Sequence, residues 1–108
     1  MALQQIGKRA SAELQFKRVI ALAPHDSAAY VDLGGLYNEE NRTDEAIRSF
    51  RKAIAVDPGD PDAYYDLAVV FQERGLDDLA LALYNKVLII KPDDPETLLY
   101  RNRLHVGQ

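Results

Sequence analysis

The chain has 108 residues, 47% hydrophobic and 28% charged, which suits one soluble domain able to bury a real core. Its 17 acids against 13 bases leave a net charge of −4, a poor match to nucleic-acid phosphates, which need clustered Lys and Arg. With no cysteine there is no disulfide framework and no thiolate metal site. No apolar run, Val87–Ile90 included, approaches the roughly 20 residues that span a bilayer, so no membrane partner is expected.

In chain order, the opening MALQQIGKRA lacks the charged-then-apolar order of a secretory signal, and the expected compartment is the cytoplasm. A first helix is predicted over about 8–23, after a turn at Gly7. It ends at Ala23-Pro24-His25-Asp26, because proline cannot continue a helix and Asp is a suitable N-cap for the next one. A second helix follows over about 27–40, then a turn at Asn41 and a third helix over 43–56. Asp57-Pro58-Gly59-Asp60 repeats the stop and start, with Pro61 at a first helical position, where it costs nothing. The fourth helix spans about 61–74, Gly75 marks a turn, and the fifth covers 77–90. Lys91-Pro92-Asp93-Asp94 opens the last helix, about 95–106. Gly and Asn tolerate the left-handed conformation just past a helix end, so each mid-unit break reads as a tight helix–turn–helix.

These signals keep one period. Pro24, Pro58 and Pro92 stand 34 residues apart, as do Asp26, Asp60 and Asp94, and Ala12, Ala46 and Ala80. A period of that size indicates stacked copies of one small unit, an architecture that builds surfaces for partners rather than catalytic pockets. Large residues recur in the same columns: Tyr30, Leu33, Tyr37, Phe50 and Ile54, then Tyr64, Leu67, Phe71, Tyr84 and Leu88. Small residues (Gly34 and Ala68, Ala46 and Ala80) fill the columns where helix backbones come close. Helices of about 14 residues are marginal alone, so their stability must come from stacking.

The columns resemble the tetratricopeptide repeat, a 34-residue helix pair with an aromatic, Leu-Gly and Tyr in its first helix and a small residue, an aromatic, Ala and Pro in its second. Tyr30, Leu33-Gly34, Tyr37, Ala46, Phe50, Ala53 and Pro58 match one unit; Tyr64, Leu67-Ala68, Phe71, Ala80, Tyr84, Val87 and Pro92 match the next. The resemblance implies an all-α, right-handed superhelical solenoid of about six helices in antiparallel pairs. The division is a half repeat over 3–24, whole repeats over 27–60 and 61–94, and a terminal capping helix over 95–106. In that last helix Leu98 replaces the aromatic and Arg101-Asn102 replaces Leu-Gly, while Leu98, Leu99, Tyr100, Leu104 and Val106 remain apolar enough to dock.

The resemblance also implies a concave groove lined by the first helices of successive units, taking a protein or peptide partner. From one unit it would be lined by Ala28, Val31, Asp32, Gly35, Asn38 and Glu39, and from the next by Asp62, Tyr65, Asp66, Val69, Gln72 and Glu73. The terminal helix would add Glu96, Leu99, Tyr100 and Arg103. Val31, Tyr65 and Leu99 form an apolar stripe, flanked by Asp32 with Asp66 and Glu39 with Glu73, which suits a peptide with apolar anchors and basic character. The same acids also keep solvated helix faces soluble. Some members of the family that the chain resembles grip a C-terminal carboxylate with Lys, Asn and Arg; here Val31, Asp32, Gly35, Tyr65 and Asp66 stand in those places, so no such clamp is expected.

Chemistry is not indicated. His25 and His105 are isolated, and no Ser-His-Asp set, phosphate loop or metal-ligand spacing occurs, so neither an enzyme nor a cofactor is expected. A competing reading is a self-associating or intramolecular scaffold. The flank around Ala12, Phe16 and Val19 would lack its usual partner helix, whose end would correspond to Leu3 and Ile6. An uncovered apolar flank of that kind marks a homo-oligomer contact or a junction with further repeats of a longer array.

Overall fold

A computed structural model describes the backbone of residues 3–106 and the side chains of residues 7–104. Six helices and no strand occur among the described residues: α1 (Leu3–Leu22), α2 (Ser27–Glu39), α3 (Thr43–Val56), α4 (Pro61–Glu73), α5 (Asp77–Ile90) and α6 (Pro95–Val106). The side chains of Leu3, Ile6, His105 and Val106 lie outside the described set. None of the helices is long and apolar enough to cross a membrane.

Two kinds of joint build the stack. Between units, Asp26 accepts from the Ala28 amide (3.1 Å) and Asp60 from the Asp62 amide (3.0 Å), satisfying orphan donors at the starts of α2 and α4. Asp94 accepts from the Thr97 amide and hydroxyl, and Thr97 is fully buried. Tyr30 and Tyr64 each donate to the carbonyl of the proline six residues back, Pro24 (3.2 Å) and Pro58 (2.8 Å). This link ties the first helix of each unit to the loop that precedes it. Leu98 occupies the same column in α6 and has no hydroxyl to repeat it.

Within units the reversal is made by backbone alone. Asn41 (φ 62°) and Gly75 (φ 78°) adopt the left-handed region. The Arg42 amide then donates to the Tyr37 carbonyl (2.8 Å) and the Leu76 amide to the Phe71 carbonyl (2.9 Å). Neither α3 nor α5 has a side-chain N-cap; acids in their first turns (Asp44 and Glu45, Asp77 and Asp78) favour the positive end of the helix dipole instead.

The expected turn at Gly7 does not form. α1 runs straight through it from Leu3, with no left-handed glycine there. Glycine permits a reversal but does not impose one. The turns at Asn41 and Gly75 are held by two helices packed together across them, and a Cβ at Gly7 would meet nothing within 4 Å.

The core runs along the pairs. Leu33, Tyr37, Ala46, Phe50, Leu67, Ala68, Val70, Phe71, Ala80, Tyr84 and Leu104 form one buried cluster, and Tyr30, Ala53 and Ala63 a second. Helices α2 and α3 pack together, as do α4 and α5; α3 and α2 also touch α4, which links the units. The radius of gyration is 14.6 Å, against about 13 Å for a spherical domain of this length, and the extents are 41 × 32 × 21 Å. The excess length is that of a stack. At its ends the apolar docking is incomplete: Leu104 is buried, whereas Leu99 is 50% and Leu22 is 88% exposed.

Candidate binding groove

Helices α2, α4 and α6 form one face of the stack. Polar bonds fix their spacing: the Ser27 hydroxyl donates to Asp60 (3.0 Å) and the Asn38 amide to Glu73 (3.3 Å), two links between α2 and α4. Each pair is roughly one period apart in sequence, so the period is written into the contact between units.

The N-terminal end of this face holds a cleft of about 360 Å³, lined by Ala12 and Phe16 of α1, Val31, Asp32, Gly35, Leu36 and Glu39 of α2, and Asp66 of α4. Gly35 leaves its floor open, since a Cβ there would touch nothing within 4 Å. Every ionisable group lining the cleft is an acid. Burial pushes the Asp66 carboxyl up to about 6, helped by the nearby charges of Asp62, Asp60 and Asp32. Burial raises Asp32 as well, with a contribution from Asp26. A cation brought into the cleft therefore meets carboxylates that lack a compensating charge, the arrangement that attracts basic ligands.

The other end is aromatic. Tyr65 meets Tyr84 edge-on (centroids 5.9 Å apart, 62°) and Tyr100 likewise (6.1 Å, 66°), while Tyr84 and Tyr100 stack (5.9 Å, 9°). Such pairs contribute about 0.5–1.5 kcal/mol each beyond their buried area. The Tyr84 hydroxyl donates to Gln72 Oε1 (2.6 Å), so Gln72 is tied to the helix behind it. Burial, then the charge of Glu96, raises Tyr65 to about 12, so it stays a neutral phenol at any ordinary pH. Arg103 lies over the Tyr100 ring at 5.7 Å, and Leu99 stands exposed beside it. Val69 packs partly buried against the core, as do Val31 and Tyr65.

The structure thus gathers Val31, Asp32, Gly35, Glu39 and Asp66 into one cleft, and Tyr65, Gln72 and Arg103 around the tyrosine cluster, while Leu99 stands exposed on α6. Asn38 and Glu73 are spent on each other between the two ends. Sequence reasoning left out Ala12, Phe16 and Leu36 as cleft lining. The column of Phe16, shared with Phe50 and Tyr84, carried that signal, because a position buried in both whole units is only partly covered in α1. It also treated Tyr84 as plain core; its hydroxyl, where Phe50 has none, was the clue to a second role.

α1 reaches the cleft through a charged clip. Arg42, in the α2–α3 turn, bonds Glu13 of α1 (2.8 Å) and Glu45 and sits 4.3 Å over the Tyr37 ring. The Tyr37 hydroxyl also donates to Glu13 (3.3 Å), and Lys17 pairs with it at 2.9 Å. Its bond to Lys17, and then that to Arg42, hold Glu13 below the usual carboxylate range. Among the described residues no group of His, Asp or Glu has the arrangement of a metal site.

A stack of helix pairs whose first helices share an open, acid-bearing face is a helical-repeat solenoid. Tetratricopeptide repeat profiles match residues 37–98 and residues 1–61, each more than half of the chain, and the chain belongs to the tetratricopeptide repeat family. A crystal structure of MamA superposes with a TM-score of 0.84 at 28% identity; the match covers 96% of this chain and 61% of that one, so the chain spans less than two thirds of MamA. The type III secretion chaperone SycD of Yersinia enterocolitica, in complex with a peptide of the translocator YopD, superposes at 0.83 with 19% identity over 96% of this chain and 85% of that one. A second SycD structure, described as an alternative dimer, gives 0.84 at 19% identity over 96% and 84%. At that identity SycD shares the fold alone. No curated protein matches the chain.

Proposed function

We propose that the chain is a protein-interaction scaffold whose concave face binds a peptide segment of a partner, with apolar side chains as anchors and basic ones as register. The units 27–60 and 61–94 supply the groove, with 3–24 and 95–106 closing its ends. The observation that carries this reading is the juxtaposition on one face of an acid-lined cleft (Asp32, Glu39, Asp66 around Val31 and Gly35) with an aromatic end bearing exposed Leu99. A basic side chain in the cleft would offset the desolvation that burial imposes on Asp66 and Asp32. Apolar residues one helix further on would settle against Tyr65, Val69 and Leu99. SycD in complex with a YopD peptide supports the idea that a solenoid of this shape can take a peptide.

Peptides selected from a random displayed library on the folded chain test the reading. They should carry Lys or Arg together with apolar residues and should bind more weakly at high salt. The double variant Tyr65→Ala/Asp66→Lys should cut affinity by about 100-fold or more, since it removes an aromatic anchor and reverses a partly buried charge. Unchanged affinity in that variant, with its helix content intact, would remove the groove from the account. A second reading, self-association, is favoured by the partly uncovered Phe16 and Val19 on α1.

A further inference from the structure

α1 is the helix whose apolar side chains are least covered. None of its described side chains is fully buried; Leu14 is 52%, Val19 40% and Leu22 88% exposed. Its columns Ala12, Phe16 and Val19 match Ala46, Phe50, Ala53 and Ala80, Tyr84, Val87, all of which are buried to 2% exposure or less. In the whole units those columns are covered by a helix, α2 over α3 and α4 over α5. Over α1 the corresponding seat is the cleft between α1 and α2, with apolar Phe16, Val31 and Leu36 and acidic Asp32, Glu39 and Asp66.

Charge says what suits that seat. α1 carries Lys8, Arg9, Lys17 and Arg18 against the single acid Glu13, the strongest basic excess of the six helices, on the same helix that presents the uncovered apolar columns. The cleft's ionisable groups are all acids. A helix with a basic excess and uncovered apolar side chains, and an acid-rimmed apolar seat on the same molecule, are self-complementary, the condition for a closed two-fold pair. Open head-to-tail stacking is disfavoured. α6 would have to cover α1, and it presents Arg101 and Asn102 in the columns where α2 and α4 bring Leu33-Gly34 and Leu67-Ala68.

We propose that two copies of the chain pair about a two-fold axis near Phe16, the α1 helix of each lying in the α1–α2 cleft of the other. This rests on the groove reading in one respect: the pair occupies Asp32, Glu39 and Asp66, so dimerisation and binding of a basic peptide exclude each other. The monomer is then the ligand-competent form, and a dilute or ligand-rich solution favours it by mass action.

Sedimentation velocity on the full chain across a wide concentration range is the test. The chain should form a dimer, and nothing larger, whose dissociation constant rises about tenfold or more between low and high salt. Phe16→Asp should leave it monomeric. Because that change also touches the packing of α1, a charge swap on exposed or polar positions provides the second arm. Lys8→Glu/Arg18→Glu and Asp32→Lys/Glu39→Lys should each be monomeric with unchanged helix content, and an equimolar mixture of the two should restore the dimer. A wild-type chain that stays monomeric, grows beyond a dimer, pairs despite Phe16→Asp, or is not restored by mixing overturns the proposal. A monomeric chain that still selects basic peptides leaves the groove reading standing and removes this one alone.

Discussion

Asp66 shows how a single side chain can work against the fold and for the site. Its carboxyl is raised to about 6 because burial and the neighbouring Asp62, Asp60 and Asp32 penalise its charged form. The sign follows from linkage: an acid that titrates higher in the folded state than in the unfolded one costs nothing below the ordinary carboxylate value. Its cost grows as pH rises through the interval up to about 6 and is complete above it. Asp66→Asn should therefore stabilise the chain at pH 7.5 by on the order of 1 kcal/mol, once solvent screening of a partly exposed group is allowed for. Urea titrations at pH 7.5 and pH 4 check this, since the gain should shrink toward zero at the lower pH. An equal gain at both would trace the effect to packing. The sequence made Asp66 visible as one rung of an acidic ladder with Asp32. It could not show that Asp66 also shares a cleft with Phe16, because that proximity depends on how α1 lies against α2.

At the scale of helices, close approach decides which columns tolerate growth. Gly34 faces the Phe50 ring so closely that a Cβ would lie 2.7 Å from Cε1 and 2.8 Å from Cδ1, and Phe50 is 1% exposed, with no room to move. In the next unit the same column holds Ala68, fully buried in the same core cluster as Tyr84. Gly34→Ala should therefore destabilise by about 1 kcal/mol, because overpacking strain of about 1–3 kcal/mol outweighs the helix-propensity gain of about 1 kcal/mol. Thermal unfolding of this variant beside Ala68→Gly measures both directions, and a Gly34→Ala chain with a raised Tm would contradict the packing. Helix boundaries were nearly all legible, because Pro24, Pro58 and Pro92 with their following Asp caps are strong local signals. The failure at Gly7 has a physical cause. A turn residue supplies permission, whereas the reversal at Asn41 and Gly75 is held by helices packing across it, and the sequence alone cannot weigh those two.

For the whole molecule, the 34-residue period gave the stack and the shared face, since columns that repeat in sequence must repeat in space. It did not give the two-part character of that face. The acid-lined cleft needs α1 beside α2 and α4, and the aromatic end needs Tyr100 of α6 against Tyr65 of α4 and Tyr84 of α5. Both depend on contacts between elements of different units. On the proposed reading this face, rather than the outer one, takes the partner. Backbone amide shifts of the isotopically labelled chain, followed as a library-selected basic peptide is added, test it most directly. Perturbations should concentrate at Val31, Asp32, Gly35, Tyr65, Asp66 and Leu99. Perturbations centred instead on the outer residues of α3 and α5, such as Arg51 and Lys86, with the α2, α4 and α6 face silent, would contradict it.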